Sequence, residues 1–252
     1  MKHAGAELTY RLLQRLVPPP ARGQAVPRPD PDRALRIAFG DGIFERVRGR
    51  RIADFGCGPG TDAVQLACHG AARVYGIDIQ ERHLERGRQS ALAAGVADRC
   101  TFVRRLDEPV DLVISKDAFE HFEDPAEMLE IMAGLLGPDG EVLASFGPTW
   151  LHPKGGHLFS VFPWSHLVLP ERALLRWRSD FIQDGATRFE EVTGGLNRMT
   201  IARFERLVAR SPLRLAALET VPIRGVGVLR HPWLREFGSS LVRARLVPRT
   251  AR

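Results

Sequence analysis

The feature that most constrains this chain is the stretch 51–80, RIADFGCGPGTDAVQLACHGAARVYGIDIQ. Ile52-Ala53-Asp54-Phe55 is a short apolar run ending in Gly56-Cys57-Gly58-Pro59-Gly60. Missing side chains there permit a tight turn and let a ligand approach the backbone. Thr61 or Asp62 is expected to cap a helix with Val64, Leu66 and Ala67 on its apolar face, stopped at Gly70. Val74-Tyr75-Gly76-Ile77 reads as the next strand, with Asp78 at its carboxyl end. An acid about twenty residues beyond such glycines can accept hydrogen bonds from both hydroxyls of a ribose. Strand, turn, helix and acid together predict a site for a nucleoside cofactor.

The pattern continues downstream. A helix over 81–94 closes at Gly95, strands follow at 100–103 and 110–115, and Asp124-Pro125-Ala126-Glu127 opens another helix. That helix carries Met128, Leu129, Ile131, Met132, Leu135 and Leu136 at core spacing and is expected to stop at Gly137-Pro138. An Asp139-Gly140 turn then introduces a strand over 141–146. Alternating strands and helices predict a parallel sheet covered on both faces, with ligands at the carboxyl ends of the strands. A helix over 200–210 and strands over 213–220 and 238–247 complete the count.

The spacing also narrows the cofactor. Nicotinamide proteins favour G-x-G-x-x-G, whereas this chain has G-x-G-x-G running directly into Thr61. The stretch resembles motif I of the class I S-adenosylmethionine-dependent methyltransferases. DLVISKDAFEHFEDPAEMLEIMAGLLGPDGEVLASF is similar to the region that follows in the type 11-like group, with its E-H-x-x-D-P turn. The resemblance covers about 51–146 and implies a Rossmann-like α/β fold: a seven-stranded methyltransferase sheet, helices on both faces, and an inserted lid after the fifth strand. It implies S-adenosylmethionine as cofactor. The backbone around Gly56, Gly58 and Gly60 would lie against the methionine end, supported by Asp54 and Thr61. Asp78 would hold the ribose, Ile79 would flank the adenine, and Ser115 and Lys116 would complete the set. The usual Gly-Asp-Ala-like segment after the third strand is missing, and Asp107 is its stand-in.

The acceptor side falls on 147–197, long and rich in Gly, Pro, Trp and His, as functional loops are. The donor's sulfonium is already activated, so the protein must exclude water, align the reactants and remove a proton where needed. Candidate bases are Glu120 and His121 at the fourth-strand exit and His157 and His166 in the insertion. Gly155-Gly156 is a flexible pair able to swing His157, and Pro163-Trp164-Ser165 is a stiffer approach to His166. Trp150, Phe159, Phe162, Trp164 and Trp177 suit a flat or greasy small-molecule acceptor, or simply pack the insertion.

The domain reading is an amphipathic helix and Pro-rich linker over 1–31, then one methyltransferase domain over 32–252 with 147–197 as its lid. The first helix is read as a cap on that domain, with a membrane surface as its second reading. Formal net charge is +6, but the arginines are scattered, which makes nucleic acid an unlikely partner and Arg243, Arg245, Arg249 and Arg252 a solvated edge. Cys57, Cys68 and Cys100 form no C-x-x-C pair and read as buried thiols of a cytoplasmic protein; no metal site is expected. The alternatives are an RNA or protein methyltransferase, and a nucleotide-binding oxidoreductase or non-catalytic binding protein.

Overall fold

A computed structural model describes residues 2–18, 30–192 and 194–249. The prolines at 19, 20, 27 and 29 of the expected linker, and Arg252, lie outside them. α1 (Lys2–Leu16), α2 (Pro31–Phe39) and α3 (Ile43–Val47) precede β1 (Arg51–Phe55). The alternating region then runs α4 (Thr61–Cys68), β2 (Arg73–Ile77), α5 (Glu81–Ala93), β3 (Cys100–Val103), β4 (Val110–Lys116), α6 (Pro125–Gly134) and β5 (Leu136–Phe146). α7 (Ser165–Val168) and α8 (Glu171–Ser179) belong to the insertion, followed by α9 (Ile201–Arg210), β6 (Leu213–Pro222), α10 (Arg235–Gly238) and β7 (Ser239–Pro248).

All seven strands join one sheet in the order β3-β2-β1-β4-β5-β7-β6. β1 to β5 run parallel, and β7 pairs antiparallel with both β5 and β6. The order reverses between β1 and β4, so their carboxyl ends frame the cleft where such sheets bind ligands. The strands are apolar along their length because both faces are covered. Ile52, Leu112, Ile114 and Leu143 pack with α2 to α5, whereas Ala53, Val113, Val142 and Ala144 pack with α6 and α9.

The insertion is a folded unit with its own core. Phe159, Leu174, Trp177 and Phe189 bury together, joined by Tyr10 and Leu13 from α1. Tyr10 also donates to Asp180 at 3.0 Å, and the Trp177 indole to the Val17 carbonyl at 3.3 Å. The first helix is thus a cap, but on the insertion rather than on the sheet.

Several local expectations give way. Neither Thr61 nor Asp62 caps α4: Gly60 is the N-cap in the left-handed conformation, with no side-chain bond, and Thr61 is already helical. α6 ends at Gly134, because Val110 pairs with Leu136 and pulls 136–140 into β5, leaving a register shift between Val110 and Leu112. Ile131, expected in the core stripe, is exposed. Cys57 is buried, but Cys68 is exposed. Arg243 and Arg249 are clamps rather than a solvated edge. Arg243 donates to the Ile37 carbonyl at 2.7 Å, and Arg249 to those of Ser211 and Ala209 at 3.0 Å. No helix among the described residues is long and apolar enough to cross a membrane.

Candidate active site

The glycine turn closes on β2, where the Gly56 and Cys57 amides both donate to the Ile77 carbonyl at 2.9 Å. Its glycines divide by what lies around them. A Cβ placed on Gly58 would meet nothing within 4 Å, so this residue faces open space. A Cβ on Gly60 would lie 2.6 Å from the Phe102 ring and 2.7 Å from Gly87 Cα. Packing alone therefore requires glycine at position 60. Gly76 and Gly87 make room for the same ring, at 2.5 and 2.4 Å. Both were missed in the sequence, although glycine inside a strand and inside a helix signals close approach.

Asp78 ties the turn together: Oδ2 accepts from the Gly58 amide at 3.0 Å and Oδ1 from the Gln80 amide at 2.8 Å. Ile79 beside it is 83% exposed and free to cover a planar ligand. Thr61 turns to the outer flank, lining a cavity of about 400 Å³ with Pro59, Arg86 and Ser90. A larger cavity, about 480 Å³, lies between α1 and α8. Neither contains Asp54 or Asp78; the site is an open cleft defined by its polar groups.

An acid cluster lines the cleft floor at the β1 and β4 ends. Asp54 is buried, Oδ2 has no hydrogen-bond partner among the described residues, and burial, reinforced by Asp62, pushes its pKa up to about 8. Lys116 Nζ sits 3.2 Å from Asp62 and 3.4 Å from Asp117. Burial would lower the ammonium pKa, but the two acids outweigh it and raise it. Ser115 is fully buried with its hydroxyl unpartnered. Asp62 was read in the sequence only as a cap; its place in the first turn after the glycines was the available signal.

The β4 exit is closely packed. Phe119 is fully buried edge-on against Phe122 and Phe204, at 5.2 and 5.1 Å, contributing about 2–3 kcal/mol by burial. Glu120 beside it is buried, with Oε1 accepting from the Gly147 amide at 3.0 Å and Oε2 unpartnered. Burial pushes this carboxyl up to about 8. The His121 ring donates from Nδ1 to the Gly195 carbonyl at 2.9 Å and meets the His157 ring edge-on at 5.5 Å. Asn197, missed in the sequence, donates to the Phe119 and Phe122 carbonyls at 2.7 and 2.8 Å, stapling the insertion to this turn.

The two insertion histidines separate. His166 is buried with both nitrogens engaged: Nε2 donates to the Trp150 carbonyl at 2.7 Å, so Nδ1 accepts from the Ser160 hydroxyl at 3.0 Å. His157 is exposed on one side, and its ring has no hydrogen bond among the described residues; the protein on its inner side desolvates it and, with His121, lowers its pKa. Gly155 and Gly156 are not a swinging pair. A Cβ on Gly155 would lie 2.2 Å from the Thr149 carbonyl oxygen, and one on Gly156 2.3 Å from His166 Cβ.

Residues 52–140 match the family model described as "Methyltransferase domain". Over 150 residues the chain is 40% identical to the ubiquinone biosynthesis O-methyltransferase of Neisseria meningitidis serogroup C (strain 053442), covering 57% of this chain and 58% of that protein. It is 32% identical over 117 residues to the ribosomal protein L11 methyltransferase of Serratia proteamaculans (strain 568), covering 46% and 39%. The chain thus spans about half the length, or less, of these curated relatives. An S-adenosylmethionine-dependent methyltransferase structure from Mesorhizobium loti shares the fold at 21% identity and a TM-score of 0.55, over 86% of this chain and 98% of that one. With the glycine turn, Asp78 and the seven-stranded order in place, residues 52–140 carry a methyltransferase domain, and the sheet as a whole has the fold of S-adenosylmethionine-dependent methyltransferases.

Proposed function

We propose that the chain transfers the methyl group of S-adenosylmethionine to a hydroxyl of a small aromatic or lipid-like acceptor, held between the β4 exit and the lid 147–197. In the same reading, 32–252 is one methyltransferase domain and α1 braces the lid. The relative named for ubiquinone biosynthesis O-methylation supports this acceptor class. The carrying observation is the His121–His157 pair, which places an unbonded imidazole where the lid meets the end of β4.

The residues fit the cofactor. Gly58 leaves space for a ligand, and Asp54 Oδ2 and the Ser115 hydroxyl are buried without partners. Asp78 would hold the ribose, Ile79 the adenine face, and Asp54, Asp62, Ser115 and Lys116 the charged methionine end. When bound, the cofactor supplies the activated methyl group. His157, kept neutral by its lowered pKa, takes the acceptor's proton. Glu120 holds the Gly147 amide and so fixes the start of the lid.

The test pairs calorimetry with S-adenosylhomocysteine and a labelled-methyl assay on an alkylated dihydroxybenzene. His157→Gln should lower turnover by about 10² to 10⁴ with cofactor affinity unchanged. Methylation at full rate by this variant would remove His157 as the base. Absence of any S-adenosylhomocysteine binding would remove the whole reading.

A further inference from the structure

The cleft rim on the β5 side carries an exposed apolar surface outside the residues given roles under the proposed function. β7 runs antiparallel to both β5 and β6, so the β6–β7 connection lies at the same sheet end as the carboxyl end of β5. It touches the start of the lid, where the Thr149 hydroxyl donates to the Glu236 carbonyl at 2.9 Å. The Glu236 carboxylate faces inward and accepts from the Ile201 and Ala202 amides. Outward from this connection project Val226, Val228, Trp233, Leu234 and Phe237, with Trp233 84% exposed. The lid adds Phe162, Trp164, Leu167 and Val168, also exposed. Residues 149–152 link the two segments. The Trp164 indole bonds the Leu151 carbonyl at 2.9 Å, and His152 Nε2 lies 3.4 Å from the Ser240 hydroxyl at the start of β7.

Charge selects the occupant. Residues 223–235 contain three arginines, one histidine and no acid, and 148–170 contain one lysine and no acid. Arg224 and Arg230 make no ion pair or hydrogen bond among the described residues, and Arg235 pairs with Glu205. A two-fold contact with a second copy would place this face against itself, burying cations with no acid opposite them. An anionic bilayer supplies the missing charge, and exposed tryptophan beside arginine suits its interfacial layer.

We propose that the face formed by 223–238 and 161–168 docks the protein on an anionic lipid bilayer, with the cleft mouth beside the membrane. The inference rests on the surface alone and stands or falls independently of the acceptor.

Co-sedimentation of the full chain with vesicles of phosphatidylcholine and phosphatidylglycerol tests it, with pure phosphatidylcholine vesicles in parallel. Binding should require the anionic lipid and weaken with salt. Each arginine near such a surface contributes about a fivefold factor, so R224A/R230A should lower partitioning roughly 30-fold. Trp233→Ala should lower it about tenfold, and Leu92→Ala, an exposed leucine on α5, should leave it unchanged. Trp233 is exposed, so its variant should keep the native melting temperature. No binding by the native chain overturns the proposal, as does equal loss in all three variants. So does a wild-type dimer that Trp233→Glu dissociates while vesicles go unbound.

Discussion

The two walls of the cleft treat buried polar groups in opposite ways. At the sheet end, Asp54 Oδ2, the Ser115 hydroxyl and Glu120 Oε2 are buried without a hydrogen-bond partner among the described residues, as is Asn197 Oδ1 where the walls meet. Within the lid, His152 and His166 are bonded, and Arg178 is held by Asp184 at 2.6 and 2.7 Å. An unpartnered buried polar atom costs about 1–3 kcal/mol. That penalty is tolerated where a charged ligand relieves it, and avoided where the task is to hold shape. The sheet end is thus built to be completed by a ligand, and the lid to present a finished wall. On the proposed function, acceptor choice then depends on the preformed shape of the lid rather than on ordering a loop.

The largest expected effect comes from Gly60→Val. Its φ of +77° is unfavourable for any side chain, and the Gly87 backbone at 2.7 Å cannot give way as a flexible side chain would. Strain and overpacking together should remove about 4 kcal/mol of stability, read in thermal unfolding. Gly58→Ala should lose only about 1 kcal/mol, from its φ of +51°, while weakening S-adenosylhomocysteine binding. Equal melting temperatures for the two would erase the division between packing and ligand-facing glycines.

Next comes Glu120. Its folded pKa of about 8 lies above the usual glutamate value, so the native state holds a proton that the unfolded chain releases. The resulting stability is complete below about pH 4 and is lost as pH rises through about 8, on the order of 4 kcal/mol in all. Glu120→Gln should remove that contribution and leave a comparable one from Asp54, whose pKa is raised to a similar value. A Gln variant with an unchanged stability–pH curve would show that Glu120 is solvated and that the sheet-end wall is not dry.

Asp78→Ala follows, with an expected loss of about 2 to 4 kcal/mol in S-adenosylhomocysteine affinity. Because Asp78 also holds the Gly58 amide, Asp78→Asn should restore part of the turn without the charge. Full affinity in either variant, measured by calorimetry with circular dichroism unchanged, would take Asp78 out of the site.

The cofactor wall was legible because its constraints are local. Glycines are required where a turn meets a strand end, Asp78 ends β2, and Asp124 caps α6 through the Ala126 and Glu127 amides. What was missed there needed a third dimension: the Phe102 ring beneath Gly60, and Lys116 drawing Asp62 into the floor. The lid was legible only as composition. Its core joins Tyr10 and Leu13 to Trp177 and Phe189, partners far apart in sequence that leave no period to read. Gly155 and Gly156, which suggest mobility, are there because backbone and His166 crowd them.

His166 gives the smallest effect and the sharpest test of the lid as a finished wall. His166→Ala keeps the Cβ that Gly156 accommodates but strands the Trp150 carbonyl and the Ser160 hydroxyl, and loses the edge-on Trp150 contact at 4.7 Å. The expected cost is about 1–3 kcal/mol of stability, with turnover and cofactor affinity near native well below the melting temperature. Burial lowers the His166 pKa against the opposing Trp150 bond, so folding holds the neutral ring. Its contribution is present above the ordinary histidine value and is lost as pH falls through the lowered one, a decline that the Ala variant should lack. If His166→Ala instead kept its melting temperature and lost turnover a hundredfold, the ring would have to reach the acceptor. The lid would then open to deliver it, and the contrast between the two walls would fail at that residue.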